Sequence, residues 1–270
     1  METQLSVWSS YYVEMSPEDA VRELKKYGIC ASELSDEHGA ELLKRGDPKI
    51  VGEEFRKFLE TENFTMTQGH LWLSIKICSD EQAVPILLNW LDLYEAIGIR
   101  NAILHVDPIA KETELTVEER LDRNVEKLKL IEAHIAPMKI RICLENLRSL
   151  ARNVDELLYM LAHLDSSHFG ICLDTGHLNL TDPDQEQFIL KAGNRLTALH
   201  IADNEGKTDQ HMMPFGRGNV DFEKVVKALK QIDYHGLFNL EIPGERLAPL
   251  EVKGYKLEYI RKCFEYLMSI

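Results

Sequence analysis

Two apolar runs in the middle of the chain each end in an acid. Residues 141–145 read Arg-Ile-Cys-Leu-Glu and lead into Asn146; residues 170–174 read Gly-Ile-Cys-Leu-Asp and lead into Thr-Gly-His177. A carboxylate at the end of a buried strand is costly, and alone it protonates rather than stay charged. Two such ends, with a histidine just past the second, point to a metal site or a catalytic dyad.

Further candidates stand at the ends of other apolar runs: His70 after Gly69, His105 in 101–106, His200 in 199–203 and Glu241 in 238–243. Asp209 and His211 follow in a long polar loop. Each has an ordinary reading on its own. A strand-end histidine is usually a hydrogen-bonded structural group, and a strand-end acid caps the next helix or pairs with an arginine. Asp174 could cap the following loop through Thr175 and Gly176. Only convergence on one mouth makes a metal centre of them.

The elements that must position these residues alternate. Strand-like runs are read at 4–8, 29–34, 64–67 leading to Gly69-His70, 101–106, 139–145, 168–174, 196–202 and 236–241. Amphipathic helical stretches are read at 16–28, 50–61, 80–97, 116–136, 153–163, 185–192, 221–232 and 251–268. Ser16-Pro17-Glu18-Asp19 carries a Ser N-cap, Pro at the first helical position and an acid at the third; Thr116-Val-Glu-Glu119 reads as a capping box. Eight strands, each followed by a helix, imply parallel pairing and a closed (β/α)8 barrel, an α/β TIM barrel read as one domain over 1–270. An open doubly wound sheet is the alternative, weakened because no G-x-G-x-x-G follows the first strand.

Composition narrows the function classes. The 270 residues carry a formal net charge of −14 and are 44% hydrophobic, which suits a large core and opposes nucleic-acid binding without a local basic groove. No apolar run reaches membrane-spanning length, and the N-terminus lacks the basic and apolar regions of a signal peptide. The five cysteines are scattered, with Cys143 and Cys172 inside strands and no C-x-x-C pair. They read as structural thiols of a reducing, cytoplasmic compartment.

The runs Leu144-Glu-Asn, Leu173-Asp-Thr-Gly-His177, Leu199-His-Ile-Ala-Asp203 and Asn239-Leu-Glu-Ile242 resemble those of the xylose-isomerase-like TIM-barrel superfamily. That superfamily includes sugar epimerases and isomerases, inosose isomerase, hydroxypyruvate isomerase and endonuclease IV. The resemblance spans essentially the whole chain. It implies that Glu145, Asp174, His200 and Glu241 bind one divalent metal, that Glu145 and Glu241 also serve as acid and base, and that His177 contacts substrate. The endonuclease IV branch uses three zinc ions, and its wider ligand set matches His70, His105, His177, Asp209 and His211. Several sugar-acting relatives keep these histidines without the nuclease function, and on that branch His70 and His105 are expected to contact substrate.

Three carboxylates and an imidazole suit Mn²⁺, Mg²⁺ or Co²⁺, with Zn²⁺ compatible. The expected reaction is isomerisation or epimerisation of a small sugar, keto-sugar or cyclitol, by proton abstraction next to a carbonyl through a metal-stabilised enediolate. Trp8 at the end of the first strand reads as a stacking surface for substrate or as a barrel filler. Arg217, in Pro214-Phe-Gly-Arg-Gly218, reads as a ligand for a hydroxyl or phosphate or as a solvated loop arginine. Glu33 and His38 are open between substrate and structural roles. His134, His163, His168 and His235 receive none. The main alternative is a zinc endonuclease acting at abasic DNA sites; a non-catalytic sugar-binding barrel is a second. A homo-oligomer is expected by analogy alone.

Overall fold

The computed structural model describes residues 3–109 and 114–270. Eight strands run through them: β1 Gln4–Val7, β2 Ala31–Leu34, β3 Thr65–His70, β4 Asn101–Leu104, β5 Arg141–Glu145, β6 Phe169–Asp174, β7 Leu196–His200 and β8 Leu237–Leu240. All pair in parallel: β2 to β7 form one sheet in chain order, and β1 pairs with β8. Two seams close the sheet. Ser32 Oγ donates to Val7 O at 2.6 Å between β2 and β1. Past the end of β7, Ile201 N donates to Asn239 O at 2.7 Å and Ile201 O accepts from Glu241 N at 3.2 Å. The architecture is the expected TIM barrel.

The outer layer comprises α1 Pro17–Lys26, α2 Asp36–Leu43, α3 Pro48–Glu62, α4 Ala83–Ile97, α5 Val117–Ile135, α6 Val154–Leu161, α7 Thr175–Thr181, α8 Gln185–Ala192, α9 Phe222–Gln231 and α10 Leu250–Ser269. Ser16 and Thr116 cap α1 and α5 as their sequences require, the latter in a full capping box. Two helices, α2 and α7, stand where the sequence reads as loop. α2 contains Gly39, which lowers its helix propensity but lets the backbone press against the Trp90 ring, where a Cβ would clash. α7 is only seven residues long and contains a Gly; it persists because Asp174 caps it. His38 is thereby a buried residue of α2. Its Nε2–H donates to Met15 O at 3.1 Å, and its Nδ1 pairs with Ser9 Oγ at 2.8 Å.

Inside the barrel, side chains follow the period of two. Ile103, Cys143, Cys172 and Ala198, one each from β4 to β7, form an apolar cluster separate from the main core. Two residues further along each strand direction stand His105, Glu145, Asp174 and His200. The other half of the interior is polar: Glu33, Gln68 and Asn239 are all fully buried, and both amides donate to the Glu33 carboxylate. The strand limits are shorter than the sequence reading in several places. β4 stops at Leu104 and β8 at Leu240, so His105 and Glu241 lie just past their strands.

Candidate metal centre

Glu145 and Asp174 are the last residues of β5 and β6, His200 is the last of β7, and Glu241 follows β8. All four are buried, and each offers one ligand atom within 4.8 Å of the others. Glu145 Oε1, Asp174 Oδ2, His200 Nδ1 and Glu241 Oε2 are buried and make no hydrogen bond, although His200 Nδ1 lies 3.2 Å from Glu241 Oε2 and Glu145 Oε1 lies 3.1 Å from His177 Nδ1. Unpaired buried polar atoms cost about 1–3 kcal/mol each, more when charged, and native interiors rarely tolerate four together. A divalent cation would satisfy all four at once and offset the charge of three carboxylates. The donor set therefore fits a hard or borderline metal ion.

The surrounding groups hold these atoms in place. Asp174 Oδ1 caps α7 by accepting from His177 N at 2.5 Å, which leaves Oδ2 for the centre. The capping and metal-facing readings of this residue are thus both realised, through its two oxygens. Asn146 clamps the same strand end: its Oδ1 accepts from Asp174 N at 2.7 Å and its Nδ2 donates to Asp174 O at 3.0 Å. His200 Nε2–H donates to Glu33 Oε2 at 2.9 Å, which turns Nδ1 towards Glu145 Oε2 at 3.3 Å and Glu241 Oε2 at 3.2 Å. Glu33 is itself held by Asn239 Nδ2 at 2.9 Å and by Gln68 Nε2. Neither clamp is visible from sequence alone; the nearest signal was the amide residue two positions before His70 and before Glu241.

The remaining histidines ring this core. His105 Nε2 lies 3.0 Å from Glu145 Oε2, and His70 Nε2 lies 3.5 Å from the same oxygen. His70 Nδ1–H donates to Leu71 O at 2.6 Å, which leaves Nε2 as the nitrogen that faces the centre. The loop after β7 folds back through an antiparallel bridge between Asp203 and Met212 and brings Asp209 and His211 over the mouth. Asp209 joins His177 Nε2 at 3.0 Å to His211 Nε2 at 3.1 Å. His211 takes a left-handed φ of 44°, rare for a residue with a side chain, and its Nδ1–H donates to Glu241 O at 2.9 Å.

Electrostatics match this geometry. Burial pushes Asp174 up to about 7, only partly offset by His177. Burial also opposes ionisation of Glu145 and Glu241. The imidazoles of His105 and His200 outweigh it and hold Glu145 well below the usual carboxylate range. His200 and His211 bring Glu241 to about 2. The histidines pay a burial penalty too, yet Glu145 lifts His70 to about 9 and Asp209 lifts His211 to about 10. Without a cation, these rings supply the positive charge that the carboxylates demand.

All nine strand-end and loop candidates thus meet at one mouth. Besides the four-residue group, His70 with His105 and Glu145, and Asp174 with His177 and His211, are close enough to hold an ion. Trp8 joins them, lining a chamber of about 420 Å³ with His105, His177, His211 and Glu241. Arg217 does not. Its side chain is 71% exposed and lies 3.4 Å from Glu205 in the outer loop, the arrangement of the solvated loop arginine that was the other of its two readings.

The family model described as xylose isomerase-like TIM barrel matches residues 21–263. The chain belongs to this family. Among solved structures, the D-psicose 3-epimerase of Clostridium cellulolyticum H10 superposes with a TM-score of 0.81 at 17% identity, over 98% of this chain and 99% of that one. An L-ribulose 3-epimerase structure gives 0.81 at 17%, over 99% and 95%. In sequence, an uncharacterised protein of Sinorhizobium fredii is 34% identical over 184 residues, 65% of this chain and 58% of that relative. The L-ribulose 3-epimerase of a Methylomonas species is 40% identical over 68 residues, 25% of this chain and 22% of its own. The chain therefore spans little more than half of the first of these relatives and less than a quarter of the second. Among the described residues, no helix is long and apolar enough to cross a membrane.

Proposed function

We propose that this xylose isomerase-like barrel is a divalent-metal-dependent epimerase of a ketose, inverting the centre next to the carbonyl. The observation that carries the reading is the set of four converging, buried donor atoms on Glu145, Asp174, His200 and Glu241 that make no hydrogen bond. The 3-epimerases among its relatives and structural neighbours support the choice of a keto-sugar.

Glu145, Asp174, His200 and Glu241 would hold the ion. When bound, Mn²⁺, Mg²⁺, Co²⁺ or Zn²⁺ supplies Lewis acidity that makes the carbon beside a carbonyl acidic enough to ionise. Glu145 and Glu241 come from β5 and β8, on different sides of the mouth. One takes the proton from one face of the carbon and the other returns a proton to the opposite face. The neighbouring imidazoles outweigh burial and favour the ionised form of each, which suits the glutamate that acts as base; the other must carry a proton before it can return one. His177, held by Asp209 and Asn146, lines the chamber at the position where it would contact the substrate. Trp8 closes the chamber with an apolar face and limits water.

A second reading is phosphodiester hydrolysis at abasic sites by three zinc ions. It is favoured by the two additional ligand groups around His70 and His177. The net charge of −14 opposes it. One panel tests both: free ketoses, inososes and hydroxypyruvate assayed for solvent-deuterium exchange, together with an abasic-site duplex assayed for cleavage. Exchange into a ketose with about one metal ion per chain supports the epimerase; cleavage with about three zinc ions and no exchange overturns it.

A further inference from the structure

Beside the chamber that holds Trp8 and Glu241 lies a second one of about 440 Å³. The two share Leu73, His105, His177 and Asp209, so they form one groove crossing the metal centre's edge. The first chamber ends in aromatic, imidazole and carboxylate groups. The second ends differently, with Lys76 and Arg148 accompanied by Ser74 and Ser149.

Among the described residues, neither the Lys76 nor the Arg148 side chain has an ion pair or hydrogen bond. Acids outnumber Lys and Arg by 45 to 31 in this chain, so two unpaired cations facing one cavity run against its composition. Their backbones are fixed even though their heads are free. Lys76 is an exposed residue whose chain neighbours Ile75 and Ile77 are both buried, and Asp107 Oδ2 ties down the next turn by accepting from Cys78 N at 3.1 Å and Ser79 N at 3.0 Å. Arg148 lies in a tight turn closed by Leu147 N donating to Ala151 O at 3.2 Å, anchored by fully buried Leu150 and Ala151. A fixed base with a free ammonium and a free guanidinium is what recognition of an oxyanion needs. The cations also offset the repulsion that the acids of the metal centre would exert on an anionic substrate.

We propose that this second chamber is the subsite for an anionic terminus on the sugar, a phosphate ester or a carboxylate, bound by Lys76 and Arg148 with the two serine hydroxyls. The inference rests on the ketose reading above and names its substrate class. The test uses metal-loaded enzyme and three matched substrates: a free ketose, its terminal phosphate and the corresponding keto-acid. Wild type is expected to favour one anionic member in kcat/KM of deuterium exchange. In the K76A/R148A double variant that preference should fall by about 10- to 100-fold, the usual effect of losing hydrogen bonds to a charged group, mainly through KM. The phosphate and the keto-acid arms identify which anion is meant. Equal use of free and anionic sugars by wild type, or an unchanged preference in the double variant, would overturn the subsite. Exchange with no member of the set sinks the ketose reading instead. The subsite is then decided by calorimetric titration with inorganic phosphate: tighter binding by wild type than by the equally metal-loaded double variant supports it, and equal binding ends it.

Discussion

Glu33 and His200 form a fully buried pair, with the imidazole Nε2–H held at 2.9 Å and 3.1 Å from the two carboxylate oxygens. This contact decides which nitrogen of His200 faces the centre, and so whether the fourth ligand exists at all. Glu33→Gln preserves the shape but can turn a donor towards the ring. The expected result is a metal affinity lower by roughly 10- to 100-fold, with the metal-free protein destabilised by about 1–3 kcal/mol because the new amide N–H meets a donor. Metal titration of wild type and variant, followed by a thermal melt of each without metal, checks both halves.

Glu145 and Glu241 are predicted to be individually indispensable for proton transfer. Glu145→Gln and Glu241→Gln should each lower solvent-deuterium exchange by at least about 100-fold. Near-normal exchange in both variants, with circular dichroism showing an intact barrel, contradicts the assigned roles.

Removing the metal should change how stability depends on pH. His70 and His211 have folded pKa values of about 9 and about 10, raised from 6.5. A raised histidine contributes stability that is full below 6.5 and is lost as pH climbs through the folded value. Asp174, raised from 3.8 to about 7, acts in the same direction at lower pH, because the folded state keeps a proton that the unfolded chain releases. The chelated protein should therefore melt at progressively lower temperature from about pH 6.5 to pH 10. Metal at 100 times its Kd should restore about 2.7 kcal/mol and flatten this limb, since the cation replaces the protons. Melts with and without chelator across that range would show no such divergence if no ion binds.

His38 works in the opposite sense. Burial lowers its pKa below 6.5, and its bonds to Met15 and Ser9 suit the neutral ring. A lowered histidine contributes stability that is present above 6.5 and is lost as pH falls through the folded value. His38→Gln should cost stability at pH 8, about 1–3 kcal/mol for the broken buried bonds, yet reduce the decline between pH 6.5 and pH 5. Urea unfolding at the two pH values distinguishes this from a uniform loss.

Much of this was legible in the chain itself. The alternation of apolar runs with capped helices specified the barrel, and the period of two within each run specified which residues point inward. That is why Cys143 and Glu145, or Cys172 and Asp174, could be read as a buried residue and a mouth residue of the same strand. The two short helices were hidden by Gly39 and by the Thr-Gly-His start of α7, where tertiary contacts override weak local propensity.

What the tertiary structure alone decided is how residues far apart in the chain meet. Closure of the barrel brings Glu33 against His200, Asn146 around Asp174, and Asp209 between His177 and His211. It also sends Arg217 out to Glu205 and brings Lys76 and Arg148 to one chamber. Local periodicity carries information about the face on which a side chain lies. The partner across the mouth depends on loop paths and on the seam between first and last strands, which no single segment encodes.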